Sequence, residues 1–247
     1  MDKILDKITV LIPARYSSTR FEGKPLAKIL GKPMIYYVYS ACKKSSIVDD
    51  VIVATDDIRI KECIESYGGK AVLTSLKHQS GTDRIAEVAA KLKCDIVVNA
   101  QGDEPFLHPD MITEVVIPLI KYPDTKVVTL IQKISDACDF VDVNNVKVVI
   151  DKFMNILFMS RSPIPYPKTR QNYCIYKQIG VYAFRREYLI NFTKMKQTPL
   201  ELIEGIELLR VMENNDVLKA SLTEHMTFSV DTLSDLIEVE KLIKNMN

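Results

Sequence analysis

The feature that most constrains the fold is the alternation of short apolar runs with helical patterns in the first half of the chain. Strands are predicted at four β-branched runs, ITVLIP (8–13), DVIVATD (50–56), KAVLT (70–74) and DIVVNAQ (95–101). Helices are predicted between them at PMIYYVYSACKK (33–44), DIRIKECIESY (57–67) and TDRIAEVAAKL (82–92). Apolar strands joined by crossover helices are typical of a parallel sheet covered on both faces, which binds ligands beyond the carboxyl ends of its strands. The sequence therefore predicts an α/β fold with its site in the loops after strands.

The second half of the chain is less regular. Further strands, several of them antiparallel, are predicted at KVVTLIQKI (126–134), VKVVID (146–151), ILFMSR (156–161) and QIGVYAFR (178–185), and near 217–221 and 227–230. Helices are predicted over 199–213 and from a cap at Asp231 or Thr232 through LSDLIEVEKLIKN. We expect one domain over residues 1–247, with an inserted sheet-and-loop lobe at roughly 125–190.

Composition excludes several classes of protein. The formal net charge of +1 argues against a general binder of nucleic acid or membrane surfaces, and no aromatic platform pattern indicates nucleic-acid binding. No run approaches the roughly 20 apolar residues of a membrane span, and the N-terminal residues lack a secretory signal pattern. The five cysteines are widely spaced without a C-x-x-C motif, which predicts free thiols. A cytoplasmic protein without nucleic-acid or membrane partners is expected.

The loop after the first predicted strand is basic. The stretch LIPARYSSTRFEGKPLAK (11–28) carries four cations, Arg15, Arg20, Lys24 and Lys28, against the single acid Glu22. It lacks both the G-x-G-x-x-G and the G-x-x-x-x-G-K-[ST] patterns, which argues against dinucleotide and P-loop sites. Guanidinium forks and ammonium groups nevertheless match phosphate oxygens. We interpret the loop as a phosphate-binding element, with a solvated surface loop as the alternative.

Two acidic positions lie where they could meet such a phosphate. Asp103 follows the fourth strand in NAQGDEP (99–105), at the same edge of the predicted sheet as the basic loop. Mg²⁺ is commonly held by one or two carboxylates together with phosphate oxygens and water. Asp231 stands between an apolar run and a helix in FSVDTLSDL (228–236). The alternatives are a turn before Pro105 for Asp103 and a helix N-cap for Asp231.

A further loop precedes the third predicted helix. In KHQSGTDRIAE (77–87), Ser80, Gly81 and Thr82 stand at the start of the helical pattern. Small residues and free N–H groups at a helix N-terminus suit the approach of a ligand. A plain cap at Thr82 would explain the same letters.

Eight segments together resemble one family. They are IPARYSSTRFEGKPLAKILGKPMI, VIVATDD, HQSGTDRIAE, VVNAQGDEP, FMSRSPIPY, IGVYAFR, TPLELIEGIELLR and SVDTLSDL. Their order and spacing, from residue 8 to about 240, resemble the CMP-Kdo synthetases, the 3-deoxy-manno-octulosonate cytidylyltransferases. The resemblance implies that CTP and the eight-carbon 2-keto acid sugar Kdo give CMP-Kdo and pyrophosphate for lipopolysaccharide biosynthesis. It also implies a Rossmann-like nucleotidyltransferase fold, with a mixed, mainly parallel sheet, and a smaller lobe for sugar binding and homodimer formation.

The resemblance also implies roles for particular residues. Catalytic roles fall on Arg15, Lys24, Asp103 and Asp231, of which Asp103 and Asp231 would hold Mg²⁺. CTP would contact Pro13, Ala14, Arg15, Thr19, Arg20, Lys24, His78, Ser80, Gly81 and Gln101. The sugar would meet Arg161, Gln178 and Glu207, although a solvated helix face also explains Glu207. The remaining histidines, His108 and His225, are interpreted as surface residues that form no evident constellation.

One position departs from the family pattern. Where the family usually reads H-[IL]-G-[IV]-Y, this chain has Gln178 in QIGVYAF. Glutamine can form hydrogen bonds but cannot become a cation. The departure leaves the CTP half of the interpretation unchanged and raises an alternative sugar, such as 8-amino-3,8-dideoxy-octulosonate.

Two other interpretations are weaker. A noncatalytic protein on the same fold would be expected to have lost Lys24, Asp103 or Asp231, and all three are present. A cytidylyltransferase for a relative of sialic acid is closer, but the RSPIPYP and QGDEP segments favour the Kdo branch.

Overall fold

The first half of the chain alternates strands and helices in the computed structural model, which describes residues 6–17, 21–169 and 174–246. In chain order the elements are β1 (Ile8–Ala14), a 3-10 helix (Lys24–Leu26), β2 (Lys28–Ile29), β3 (Lys32–Pro33), α1 (Met34–Lys43), β4 (Asp50–Thr55), α2 (Ile58–Ser66), β5 (Ala71–Leu73), α3 (Gly81–Ala89), β6 (Ile96–Ala100) and α4 (Pro109–Lys121). The four strands and three helices predicted for this half are confirmed. The helix α4 was not predicted.

The second half adds more strands and several short helices. They are β7 (Val127–Lys133), α5 (Ala137–Val141), β8 (Lys147–Ile150), β9 (Ile156–Ser160), β10 (Tyr176–Arg185), α6 (Arg186–Phe192), α7 (Pro199–Glu204), α8 (Leu209–Glu213), β11 (Leu218–Leu222) and α9 (Leu233–Met246). None of the helices in the described part of the chain is long and apolar enough to cross a lipid bilayer.

The main sheet has the strand order β11-β7-β10-β6-β1-β4-β5. The neighbours β6, β1, β4 and β5 are parallel, as are β7 and β11, whereas β10 runs antiparallel to both β6 and β7. The predicted α/β class with a mixed, mainly parallel sheet is confirmed. Because β1 and β6 are parallel neighbours, the loops that follow them open at the same edge of the sheet.

Both faces of the sheet are covered. Along β1, Ile8, Val10 and Ile12 belong to one apolar cluster with residues of α1, α2 and α4. Leu11 belongs to another cluster, formed with α3, α6 and α8. Successive side chains of a strand point to opposite faces, so each face needs its own layer of helices. This is why the strands read as continuous apolar runs.

The segment 125–190 contributes to two parts of the sheet. Strand β7 and much of β10 lie in the main strand order, while β8 pairs with Tyr176 and Lys177 at the start of β10 and continues into a hairpin with β9. The long strand β10 therefore joins the hairpin to the main sheet. The division of the chain into one domain with an inserted lobe stays a prediction.

Two local predictions for the last third of the chain need correction, and a third is confirmed in one of its two alternatives. The prediction of a single helix over 199–213 is wrong, because α7 ends at Gly205, whose φ of +63° is left-handed, and α8 begins at Leu209. The predicted strand at 227–230 is absent, since these residues form no sheet pairing. Of the two caps proposed for the last helix, Thr232 is the one observed: its Oγ1 accepts from the backbone N–H of Asp235.

Candidate active site

A cavity of about 250 Å³ opens at the carboxyl ends of β1 and β6. We call it the first cavity. Of the residues predicted to contact CTP, eight line it: Pro13, Ala14, Arg15, Lys24, His78, Ser80, Gly81 and Gln101. Thr19 and Arg20 lie outside the described residues. Asp103 and Asp231, the two predicted metal ligands, line the same cavity. The structure thus brings together four segments that are far apart in the sequence.

Glycines allow these segments to lie close to one another. Gly23 directly precedes the 3-10 helix that carries Lys24, and it adopts a left-handed conformation with a φ of +67°. A Cβ atom at Gly102 would lie 2.9 Å from the backbone oxygen of Pro13. Only glycine therefore lets the loop after β6 rest against the end of β1 and bring Asp103 to the cavity.

Lys24 is the electrostatic centre of the first cavity. Its Nζ lies 2.8 Å from Asp103 Oδ2, 2.8 Å from the carbonyl oxygen of Val230 and 3.4 Å from Asp231 Oδ1. The backbone N–H of Val230 in turn donates to the carbonyl of Asp103 at 2.9 Å. The segment before α9 is therefore fixed against the loop after β6, and both carboxylates face the same ammonium group.

The donor set of this site fits a hard divalent cation. Asp103 and Asp231 supply carboxylate oxygens beside an open cavity, and the cation of Lys24 already lies within reach of both. Mg²⁺ is commonly bound by one or two carboxylates, with phosphate oxygens and water completing its coordination. Asp103 and Asp231 are the described residues that could hold it here.

The loop before α3 is positioned by hydrogen bonds to that helix. Ser80 is the N-cap: its hydroxyl accepts from Asp83 N, and the Asp83 carboxylate accepts from Ser80 N. A simple cap at Thr82 is therefore wrong. The Glu87 Oε2 atom accepts from the backbone N–H of Ser75 at 2.9 Å and lies 2.7 Å from His78 Nε2. These contacts hold the edge of the first cavity in place.

Arg84 lines the first cavity but was not among the predicted site residues. It is 4% exposed, and its guanidinium donates to Asp56 Oδ2 at 2.7 Å and to Thr74 Oγ1. A buried arginine needs such partners because desolvating an unpaired charge is costly. The sequence signal was present, since Arg84 shares a helix face with buried apolar residues in TDRIAEVA.

A second cavity of about 550 Å³ adjoins the first. Its lining comes from the loop after β6, the first part of β10, the loop before β8 and the segment before α9. It includes Glu104, Asn144, Asn145, Lys177, Gln178, Gly180, Tyr182 and Asp231. Gln178 is the one predicted sugar contact among them. Asp231 lines both cavities and therefore marks their border.

Glu104 and Tyr182 are polar groups of the second cavity that sequence reasoning missed. Burial, and then the neighbouring Asp103 carboxylate, raise the pKa of Glu104 to about 8. Burial also raises the pKa of Tyr182, whose hydroxyl is hydrogen-bonded to Gln101. Neither environment can be seen in the letters QGDEP or GVYAF, because both depend on strands that meet only in the folded sheet.

Arg161, predicted to meet the sugar, is not among the residues that line either cavity. Its Nε donates to the carbonyl of Glu204 at 2.7 Å and its Nη1 to the carbonyl of Val143 at 2.9 Å. The first bond satisfies a backbone carbonyl at the end of α7, and the second satisfies one in the segment between α5 and β8. They account for a charge that follows an apolar strand, and a contact with the sugar stays a prediction.

Glu207 is not on a solvated helix face, so that alternative is wrong. It lies in the turn between α7 and α8, where it accepts a hydrogen bond from Thr82 Oγ1. Burial raises the pKa of Glu207, although the hydrogen bonds from Thr82 and Ser80 oppose that shift. Glu207 thus supports the start of α3 behind the first cavity, and its contact with the sugar stays a prediction.

Comparison with known proteins identifies the family. The family model described as Cytidylyltransferase matches residues 9–225. A 3-deoxy-manno-octulosonate cytidylyltransferase of Geobacter metallireducens is 46% identical over 248 residues, which covers 96% of this chain and 98% of the relative. The chain belongs to the 3-deoxy-manno-octulosonate cytidylyltransferase family. The family predicted from the eight segments is confirmed, and with it the prediction of a nucleotidyltransferase.

Solved structures agree with this family membership. The structure of a CMP:2-keto-3-deoxy-manno-octonic acid synthetase complexed with CTP has a TM-score of 0.93 at 38% identity, covering 98% of this chain and 100% of that chain. A 4-diphosphocytidyl-2C-methyl-D-erythritol synthase from Anaerococcus prevotii has a TM-score of 0.65 at 15% identity, covering 97% of this chain and 96% of that chain. The second similarity is one of fold alone. The 3-deoxy-manno-octulosonate cytidylyltransferase fold is thus a nucleotidyltransferase fold.

Proposed function

We propose that this chain transfers the cytidylyl group of CTP to Kdo, which gives CMP-Kdo and pyrophosphate. The observation that carries the proposal is the first cavity, which collects all eight of the predicted CTP contacts that lie in the described part of the chain. Relatives at 46% and 45% identity are named for this reaction, and a similar solved structure is complexed with CTP. CMP-Kdo would serve lipopolysaccharide biosynthesis.

The reaction joins an anomeric hydroxyl of the sugar to the α-phosphorus of CTP and releases pyrophosphate. Negative charge builds up on the phosphoryl and leaving-group oxygens, so catalysis depends mainly on positioning and on charge neutralisation. Arg15 and Lys24 supply cations at the first cavity, where the triphosphate would bind. The Ser80 loop and Gln101 would hold the base through hydrogen bonds.

Mg²⁺ is the cofactor we propose, held by Asp103 and Asp231. When bound, a divalent metal ion neutralises phosphate charge and lowers the pKa of a coordinated hydroxyl. Such a site removes the need for a histidine base, which agrees with the absence of any histidine among the described residues that line the second cavity. Asp103 and Asp231 would hold the ion, and Lys24, which lies 2.8 Å from Asp103 and 3.4 Å from Asp231, balances their charges.

The second cavity is the proposed sugar site. Its amides, acids and Lys177 offer many hydrogen-bonding groups, as a polyhydroxylated acid requires, and its border at Asp231 adjoins the first cavity. Gln178 Nε2 lies 3.4 Å from Thr129 Oγ1, and this contact positions the Gln178 side-chain amide at the proposed sugar site. The 8-amino sugar suggested by Gln178 is not favoured, because the named relatives are Kdo enzymes.

Pyrophosphate release tests the proposed function directly. With CTP, Mg²⁺ and Kdo we expect continuous release, and with ATP in place of CTP we expect none, because a purine is too large for the base site. Omitting Mg²⁺ or adding excess EDTA should stop release. Absence of release with CTP and Kdo, from protein that is folded by circular dichroism, would overturn the proposal.

We also propose a homodimer located in the cytoplasm. Apolar side chains are exposed on β9 and on the neighbouring helix α7: Leu157 is 60% exposed on β9, and Leu202 and Ile203 are 63% and 80% exposed on α7. A hydrogen bond from Ser160 to Glu204 joins the two elements. The described cysteines are unpaired, which agrees with a reducing compartment.

A further inference from the structure

Two of the three histidines of the chain meet outside both cavities. His108 is the N-cap of α4, and His225 lies in the segment after β11. Their rings stack with centroids 4.0 Å apart and an angle of 12° between the planes. The pair could not be predicted from the sequence, because the two residues are 117 positions apart in the chain. Both side chains lie at the surface as predicted, 48% and 31% exposed, but the interpretation that they form no constellation is wrong.

Carboxylates surround the histidine pair. Asp110 Oδ2 lies 3.6 Å from His108 Nδ1 and 3.8 Å from His225 Nε2. Glu114 Oε1 lies 3.6 Å from the same Nε2 atom of His225. Asp110 and Glu114 are four positions apart on α4, which puts them on the same face of the helix. Nitrogen and oxygen donors from two separate segments therefore converge on one spot.

The Glu114 carboxylate is only partly satisfied. Its Oε1 atom faces His225, while its other oxygen, Oε2, is buried and has no hydrogen-bond partner among the described residues. A buried polar atom without a partner carries a desolvation cost of about 1–3 kcal/mol. A cation bound through Oε1 would offset part of that cost by neutralising the carboxylate.

The backbone of His225 is held in position by neighbouring polar groups. Gln132 Nε2 donates to the carbonyl of His225 at 2.7 Å, and Gln132 Oε1 accepts from Thr227 Oγ1 at 3.2 Å. Ser221 Oγ donates to the carbonyl of Glu114 at 2.7 Å, which fixes α4 against β11. The donors therefore lie on two elements that are already attached to each other.

We propose that His108, His225 and Asp110 bind a divalent transition metal ion, with Glu114 as a further ligand. Imidazole and carboxylate groups together suit Zn²⁺, which is usually four-coordinate and tetrahedral. Ligand atoms at about 2.1 Å from a tetrahedral ion lie about 3.4 Å apart. The three nitrogen–oxygen separations of 3.6–3.8 Å are close to that value, and the ligand atoms of His108, Asp110 and His225 all lie within 4.8 Å of one another.

Metal binding at this site requires one of the two stacked imidazole rings to move. The lone pairs of two parallel imidazoles do not point to one atom, so one ring must rotate. The His108 side chain is 48% exposed and has room to rotate, but its Nδ1 accepts the N-cap hydrogen bond from the backbone N–H of Asp110 at 3.3 Å, so the metal would replace that bond. The positive end of the α4 dipole opposes a cation, and Asp110 and Glu114 offset it. The site is independent of the proposed Mg²⁺ site, which offers only oxygen ligands.

Imidazole NMR tests the proposal on the full chain. With only three histidines, each ring can be assigned through His78→Ala, His108→Ala and His225→Ala. Zinc is added to one equivalent in the presence of excess Mg²⁺, which occupies the oxygen site. Cys138 and Cys174, which are exposed, are replaced by serine so that thiols do not compete. We expect the His108 and His225 signals to shift while the His78 signal stays unchanged.

Matched variants distinguish a specific metal site from nonspecific binding of zinc at the surface. Loss of an outer hydrogen-bond partner alone weakens a metal site roughly 10- to 100-fold, so His225→Ala and Asp110→Asn should weaken Zn²⁺ binding at least as much. His78→Ala and Asp124→Asn, at an exposed loop position, should leave it unchanged. Unshifted His108 and His225 signals, or equal affinity in His225→Ala with a native backbone spectrum, would overturn the proposal.

Discussion

Lys24 is the residue on which the charge balance of the candidate site depends. Its ammonium group lies between Asp103 and Asp231, with 15% of its side chain exposed. Removing either carboxylate leaves the cation partly unpaired and removes a proposed ligand for Mg²⁺. Substitutions that keep the side-chain shape should therefore test the catalytic roles of these three residues without disturbing the fold.

Asp103→Asn and Asp231→Asn should each lower kcat/KM by roughly 10²–10³-fold or more, because charge stabilisation in a site of this kind is a large part of catalysis. Asp124→Asn, on an exposed loop, is the matched control and should be near wild type. Pyrophosphate release measures the rate, and thermal unfolding checks the fold. Wild-type turnover by either site variant would remove that aspartate from the metal site.

Several residues that line the first cavity could be predicted from the sequence. They lie in loops that follow strands, and such loops converge at one edge of a parallel sheet. Arg15, Lys24 and Asp103 are of this kind. The environment of Glu104 could not be predicted, since its burial depends on how β10 pairs with β6. The cation-rich loop could likewise be predicted because it directly follows a strand. The position of Arg161 could not, because its hydrogen-bond partners lie on segments that meet it only in the folded chain.

At the scale of elements, strand predictions were accurate to within one or two residues, because each buried strand is a distinct apolar run. Helices were predicted less well where a single glycine decides the outcome. The pattern TPLELIEGIELLR is apolar at helical spacing on both sides of Gly205, and only its left-handed backbone separates α7 from α8. The apolar run FSV likewise indicated a strand, but these residues form no sheet pairing in the described structure, and the backbone N–H of Val230 donates to the carbonyl of Asp103 in the loop after β6.

The pair of α7 and α8 is held by a buried ion pair. Glu201 and Arg210 are 4% and 5% exposed, and Arg210 Nε lies 2.8 Å from Glu201 Oε2. The Arg210 guanidinium holds the pKa of Glu201 below its ordinary value against the effect of burial. Such a pair does not make the protein more stable than an apolar pair would, but its disruption is costly.

Glu201→Leu should lower the free energy of unfolding by about 3–5 kcal/mol, because it leaves Arg210 buried without its counter-charge. Glu65→Leu is the control: Glu65 is 45% exposed and paired with Lys61 across one turn of α2, so its loss should cost about 0–1 kcal/mol. Urea unfolding measures both. Equal losses in the two variants would show that burial does not control the cost here.

The contact between α3 and the loop before it depends on pH. The backbone N–H of Ser75, and then His78, lower the pKa of Glu87 from 4.5 to about 2. Because the folded-state pKa lies below the unfolded one, this carboxylate stabilises the fold above about pH 4.5. That contribution is lost as the pH falls towards 2.

Glu87→Gln should therefore lower the Tm at neutral pH, and the difference from wild type should shrink as the pH falls below about 4.5. Calorimetric scans of both proteins between pH 7 and pH 3 measure it. A Tm difference that stays constant over this range would contradict the lowered pKa.

At the scale of the whole molecule, the exposed apolar residues of β9 and α7 lead to a prediction about assembly. Ile203→Glu should convert the proposed dimer to a monomer, because a charge would be buried in an apolar interface. Ile117→Glu is the control, since Ile117 is 50% exposed on α4. Sedimentation velocity measures the mass. A monomeric wild type, or an unchanged dimer in Ile203→Glu, would contradict the proposal.

The border at Asp231 has a thermodynamic consequence. One carboxylate faces both cavities, so a ligand that changes the surroundings of Asp231 from one side alters the affinity on the other side. Linkage makes this effect reciprocal: if the nucleotide changes the Kd of the sugar by some factor, the sugar changes the Kd of the nucleotide by the same factor. The coupling free energy of the two substrates can thus be measured from either cavity, and the two values must agree.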